Sequence, residues 1–365
     1  MVKIKQVIQF LEDKAPLALQ ESYDNCGLLV GESDVEITGI LVSLDVTEAV
    51  LEEAILKKCN LIVAHHPLIF AGIKKITGRN STERIILRAI RNQISIYAMH
   101  TNLDNVYHGV NAKLSSKLGL NDCRILQPKS SLIKNLTTYA PSSHAEGIRQ
   151  ALFDAGAGKI GNYDECSFSV TGNGTFRAME GANPFLGEVG TQHQEKEERI
   201  EVIFPAYLEL SVVQALKNSH PYEEVAYYIL KTDNLHQNIG AGMVGFLSKP
   251  MSTQEFLQHL KTTINLEMIR YTSFDHNIHK VAVCGGSGSF LLNDAMAAGA
   301  HALVTGDFKY HQFFDAENKI MIADIGHFES EKHTIELIGQ WLSDFFPNFA
   351  VIFTETNTNP VNYYL

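Results

Sequence analysis

The stretch ITGILVSLDVTEAVLEEAILKKCNLIVAHHPLIF, residues 37–70, carries the decision about the fold. ITGILVSLD is rich in β-branched and aliphatic residues and reads as a buried strand. Thr47 then offers an N-cap oxygen, and Val50, Leu51, Ala54 and Ile55 fall on one helical stripe. LIVA is a second short buried strand, and it runs directly into His65 and His66. A strand, an amphipathic helix and another strand in so short a span predict a parallel sheet covered on both faces.

The pattern continues outward. Ser81 is placed to cap a helix over STERIILRAIRNQ, and ISIYAM is the next strand, ending near His100. Beyond residue 233 the grammar returns. KVAVC reads as a strand, GGSG as a tight turn, FLLNDAMAAGA as a helix, and ALVTGD and KIMIADIGH as strands. A long helix is expected from about Glu329, with Ile335, Leu337, Ile338 and Trp341 on its apolar side, before a last strand at AVIFTET. Both halves put polar residues straight after a buried strand, a weak sign of an internal duplication.

The middle reads differently. LTTYA, EGIRQALFDAGA, CSFSV, RIEVIF, LSVVQALKN and VAYYIL give the order βαββαβ, the split ferredoxin-like motif. The segment GNGTFRAMEGANPFLGEVGTQHQEKEE, rich in Gly and charge, is expected to be a long exposed loop. The organisation is therefore an α/β body in two parts, residues 1–126 and 233–365, with an inserted domain at 127–232.

Composition narrows the function classes. A hydrophobic fraction of 45% with 19% charged residues is that of a globular chain. The net charge of -11 repels phosphate backbones, and Arg84, Arg88 and Arg91 read as a solvated helix face, so nucleic acid is not expected as a partner. A small anionic ligand stays open, since a bound metal brings its own charge. Five scattered cysteines without a CxxC pair argue against a disulfide framework or a zinc finger. The N-terminus reads as an amphipathic helix rather than a signal peptide, and no apolar run is long enough to span a membrane. A cytoplasmic location is expected.

Three strand ends present metal-ligand chemistry. VAHHPLIF supplies His65 and His66, whose alternative is merely to cap a strand. MHTNLDN supplies Asp104, able to ligate one ion or bridge two, and His100, which is placed to orient a ligand by hydrogen bonding. ADIGHFESE supplies His327 and Glu331, four residues apart on one helical face; near a helix start Glu331 could equally be a dipole partner. Their conjunction is a mixed nitrogen and oxygen set for two divalent ions per chain, zinc first, with iron, manganese or cobalt as alternatives to it. Water between two such ions is acidified, which is hydrolytic equipment. Asp307, Lys309 and His311, in TGDFKYH, are weaker candidates: Asp307 or His311 for acid/base chemistry, Lys309 for substrate contact. The GGSGS turn could hold an anion, and YDNCG, with Asp24 and Asn25, lies near the cleft or only forms a turn.

YDNCGLLVG, VAHHPLIF, HTNLDNVYHGVN, CGGSGS, VTGDFKYH and DIGHFESEKH, in this order, closely resemble the GTP cyclohydrolase 1 type 2 homologue family, also called Nif-three-like. The resemblance covers both outer segments, and the insert looks like the PII/CutA-like ferredoxin-fold domain of the longer bacterial members. It implies a dinuclear site with ligands at His65, His66, Asp104, His327 and Glu331, Glu331 being shared by both ions and His100 lying close by. It also implies a toroidal homohexamer whose openings the insert caps. Tyr23 stands where Trp is common in the family. The function expected is a metal-dependent hydrolase acting on a nucleotide-like or other small phosphorylated substrate, with GTP cyclohydrolase chemistry carried only by the family name. The rival is a non-catalytic regulatory or metal-handling scaffold.

Overall fold

The structure, a computed structural model, describes residues 2–364. The chain forms two compact units: the stretch up to Gln127 with that from Asn238 onward, and Pro128–Gln237 between them.

The first unit contains two sheets. One has five strands in the order Gly27–Val30, Ser95–Ala98, Leu61–Ala64, Ile40–Ser43 and Val351–Phe353. Its last four are parallel, with Val42 opposite Val63 and Val63 opposite Tyr97. Gly27–Val30 closes one edge in antiparallel fashion. Every residue of Ile40–Ser43, Leu61–Ala64 and Ser95–Ala98 is buried, which is why these strands read as continuous apolar runs rather than alternations. The second sheet is mixed, in the order Arg270–Tyr271, Met321–Asp324, Ala302–Gly306, Ile278–Ser287, Gly240–Met251 and Asn121–Pro128. Ile278–Ser287, Ala302–Gly306 and Met321–Asp324 run parallel. Phe256, Leu260 and Ile264 of the helix Thr253–Ile264 bury one face of it.

Some local expectations hold and two need correction. Thr47 does cap its helix, accepting from the Val50 N–H. The next helix, Ser81–Arg91, is capped by Asn80 instead of Ser81, because the Asn80 side chain accepts from the Glu83 N–H. The helix expected from Glu329 is broken: His327–Glu331 forms one short helix and Thr334–Phe345 another. Arg84 and Arg88 are neutralised by Glu48 and Glu52 of the neighbouring helix, so no basic patch forms there.

The second unit has a four-stranded antiparallel sheet, in the order Phe168–Arg177, Gln192–Pro205, Ile133–Pro141 and Tyr227–Lys231, with helices Ala145–Asp154 and Glu209–Ser219. Leu136, Ile200, Val202, Phe204, Ile148 and Leu216 form its core. The segment expected to be one long loop, residues 172–198, is a loop only at 178–191; its two flanks are strand and pair as a hairpin, from Phe168 opposite Glu201 to Arg177 opposite Gln192. Main-chain hydrogen bonds hold such a ladder whatever the side chains are, so its glycines and charges hid it. Among the described residues no helix is long and apolar enough to cross a membrane.

Candidate metal centre

The parallel strands end at the candidate residues. The ladder beyond Ala64 continues through His65 N–H to Ser43 O and His66 N–H to Leu44 O, which pins both histidine backbones. One strand over, the chain turns into the short helix Thr101–Asp104, with His100 as its N-cap residue. In the second sheet, Met321–Asp324 leads to Gly326, whose φ of +92° permits the turn into the helix His327–Glu331.

Each of three histidines is fixed by its Nδ1. His65 Nδ1 lies 2.7 Å from the Met99 carbonyl oxygen, His66 Nδ1 2.7 Å from Asp45 Oδ1, and His327 Nδ1 2.6 Å from Asp307 Oδ2. A carbonyl or carboxylate only accepts, so Nδ1 donates in each case and Nε2 is turned inward. Asp45 is itself held by the Thr358 hydroxyl at 2.6 Å.

Glu331 receives these inward atoms. It is 2% exposed, and its two oxygens face different partners. Oε2 lies 2.9 Å from His66 Nε2 and 3.1 Å from His327 Nε2; Oε1 lies 3.6 Å from His65 Nε2. His65 Nε2 is in turn 3.7 Å from Asp104 Oδ1. Donor atoms therefore gather in two sets that share Glu331: His66, His327 and Glu331, and His65, Asp104 and Glu331. His100 joins His65 and His66 in a third, overlapping set.

The donor set fits divalent ions on an independent ground. His65 Nε2 and Asp104 Oδ1 are buried and have no hydrogen-bond partner. Two such atoms are costly to leave unsatisfied. Donors around one tetrahedral ion, at bond lengths of ~2.0–2.1 Å, stand about 3.3 Å apart, close to the separations seen here.

The electrostatics agree. Burial pushes the Asp104 carboxyl upward, and the charge of Glu331 adds to it. Burial also opposes ionisation of Glu331, but His65, His327 and His66 outweigh it and hold that carboxyl well below its usual range. Burial disfavours the His66 cation, yet Asp45 and Glu331 raise it to about 10; Glu331 and then Asp307 raise His327, against burial, to about 9. The pocket is an anionic site that collects positive charge.

The surrounding residues take different places around the cluster. Asp307 is a hydrogen-bond acceptor for His327. His311 is exposed and contacts the Tyr310 ring, and Lys309 is exposed, its N–H donating to Gln312; neither belongs to the donor sets. Asp24, from the YDNCG stretch, accepts from His100 Nδ1 at 2.8 Å and from Thr101, and so anchors His100. The GGSGS turn is no free anion nest at its start: the Gly285 and Gly286 N–H groups donate to Asn111 and Ser330. Gly286, with φ of +62°, instead leaves room for Glu331, since a Cβ there would collide with its carboxylate. Sequence reading missed Asp45 as a partner. The same signal, a carboxylate directly after a buried strand, was available in VSLD. A cavity of about 540 Å³ adjoins the cluster, bordered by His66, His327, Asp307, Arg270, Asn359 and Tyr363.

Residues 2–360 match the family model described as Duf34/NIF3 (NGG1p interacting factor 3). A Bacillus subtilis protein named GTP cyclohydrolase 1 type 2 homolog is 37% identical over 366 residues, 98% of each chain. A Halalkalibacterium halodurans protein of the same name is 40% identical, over 88% of this chain and 87% of that one. Among solved structures, a Bacillus cereus protein related to NIF3 superposes with a TM-score of 0.86 at 36% identity, covering 100% of this chain and 99% of that one.

Proposed function

This chain belongs to the Duf34/NIF3 family, and from that premise we propose that it is a dinuclear metal-dependent hydrolase acting on a nucleotide-like or other small phosphorylated substrate. The observation that carries the proposal is the division of Glu331, one oxygen toward His66 and His327 and the other toward His65. His66 and His327 would hold one divalent ion, His65 and Asp104 the other, and Glu331 both. Zinc suits the donors first, with iron, manganese or cobalt as alternatives. Such a pair of ions supplies Lewis acidity and a water made nucleophilic near neutral pH.

The chain's own residues do the rest. Asp45, Asp307 and the Met99 carbonyl keep the histidine Nε2 atoms aimed inward. Asp24 anchors His100 beside the cluster, where it can contact substrate. The adjoining cavity has room for a small molecule, and Arg270 in its wall is already paired with Asp324 and the Phe308 carbonyl. We assign Pro128–Gln237 the ferredoxin-like fold, on the strength of its element order and sheet order. We also place the chain in a homohexamer, which light scattering on the purified protein would check.

The test is elemental analysis of the full-length protein beside Glu331→Ala, followed by a hydrolysis panel beginning with GTP. About two metals per chain, falling below one in the variant, and metal-dependent turnover of a panel member support the proposal. A ratio near one or zero that the variant leaves unchanged sinks the dinuclear site. A full metal complement without any turnover sinks the hydrolase.

A further inference from the structure

The second unit contains a cavity of about 560 Å³, far from small for a ligand site. It lies on the face of the sheet opposite the helices. The hairpin supplies one side through Gly172, Gly174 and Phe176, and the loop joining its two strands supplies Phe185. Tyr222 completes an aromatic wall, with its ring centroid 5.8 Å from Phe176 and 6.4 Å from Phe185.

At the floor sits a carboxylate without a counter-charge. Glu197 is 8% exposed, and its Oε1 accepts from the Tyr222 hydroxyl at 2.9 Å. The other carboxylates of the same strand are each matched: Glu195 meets His193, Glu198 meets Arg149, and Glu201 meets Arg199. Among the described residues Glu197 has no ion pair and no second hydrogen bond. His220 does not neutralise it: its Nδ1 accepts from the Tyr222 N–H, its Nε2 donates to the Tyr139 carbonyl, and burial lowers its pKa. Arg199, which also lines the cavity, is committed to Glu201, and the exposed Arg177 is outnumbered by Glu223 and Glu224.

The strand opposite makes room for both the carboxylate and a guest. A Cβ at Gly174 would collide with the Glu197 carboxylate, whereas above Gly172 the space is open, with no atom within 4 Å of where a Cβ would stand. An unpaired buried carboxylate attracts a cation. Aromatic faces around it favour an organic cation. A metal ion is the poorer match, because none of the multi-donor sets among the described residues lies here.

We propose that this cavity binds a small organic monocation, an alkyl- or arylalkylammonium, with the ammonium on Glu197 and the carbon skeleton against Phe176, Phe185 and Tyr222. The open space above Gly172 takes the rest of the ligand. The cavity shares no residue with the candidate metal centre.

Calorimetric titration of the full-length protein at constant ionic strength tests this, with phenethylammonium, tetramethylammonium, Nα-acetyl-lysine methylamide and the neutral 2-phenylethanol as probes. Phenethylammonium should bind saturably with a Kd of about 0.1–1 mM, and 2-phenylethanol should not. Tighter binding of the lysine derivative would assign the ammonium to a protein side chain, and tighter binding of phenethylammonium to a free amine; both support the site. Glu197→Gln should weaken binding at least about tenfold, and Gly172→Leu should abolish it by filling the cavity. Circular dichroism and metal content monitor folding. If either variant misfolds, the other and the charged-versus-neutral pair decide. Equal binding of the alcohol, unchanged binding in folded variants, or no saturation by about 10 mM of any probe overturns the proposal.

Discussion

Glu331 Oε2 and His66 Nε2 lie 2.9 Å apart although 265 residues separate them in the chain. One residue comes from a helix after the mixed sheet and the other from the end of a strand in the parallel sheet. The candidate site therefore exists only when both sheets are formed, and four predictions follow how it and the unit around it are held.

Asp45→Asn keeps the shape of the group that holds His66 Nδ1 but removes its charge, while Thr358 still has a partner. Metal affinity should fall about 10- to 100-fold, with little change in secondary structure. Competition with a chromogenic chelator measures it. Unaltered affinity would mean that Asp45 does not position His66.

Gly286→Ala puts a side chain at a φ of +62° and against the Glu331 carboxylate. Stability should drop by about 1–3 kcal/mol from backbone strain, and metal content should drop with it. Gly172→Ala, at an open position, is the control and should match the wild type in both. Urea melts and elemental analysis read the two effects. Full metal content in Gly286→Ala would show that Glu331 can move aside.

Phe256→Ala removes a fully buried ring from the helix packed on the mixed sheet. A loss of about 3–5 kcal/mol is expected. Denaturant unfolding followed by circular dichroism checks it, and a loss under about 1 kcal/mol would contradict this packing.

Glu53 sets an acid-side dependence. Burial opposes its ionisation, but Lys57, Thr354, Thr356 and the Glu355 N–H bind it and lower its carboxyl from 4.5 to about 2. A carboxyl depressed in the folded state adds stability above the unfolded value of 4.5 and loses that contribution as pH falls toward 2. Glu53→Gln should therefore melt lower than wild type at pH 7, and the gap should close on acidification. A gap independent of pH would refute this assignment.

How much was legible differs by element. LIVA and ISIYAM were readable because burial on both faces writes an uninterrupted apolar run into the sequence. His65, His66, Asp104, His327 and Glu331 stood out because they follow such runs. CSFSV and RIEVIF were readable as strands, but their continuation through residues 172–177 and 192–198 was not, since its glycines and charges carry no strand signal and its order comes from main-chain pairing. The break between His327–Glu331 and Thr334–Phe345 was hidden because both sides have helical composition.

The sequence by itself determined the α/β class, the family and the residues rich in metal-ligand chemistry, because periodicity and residue type are local properties. Only the tertiary structure decided that Glu331 divides its oxygens between His66 with His327 on one side and His65 on the other. It alone made Asp45 and Asp307 supports for histidines, and left Glu197 buried without a partner charge. These are relations between side chains far apart in the chain, and their distances are set by the packing of sheets and helices rather than by any sequence neighbourhood.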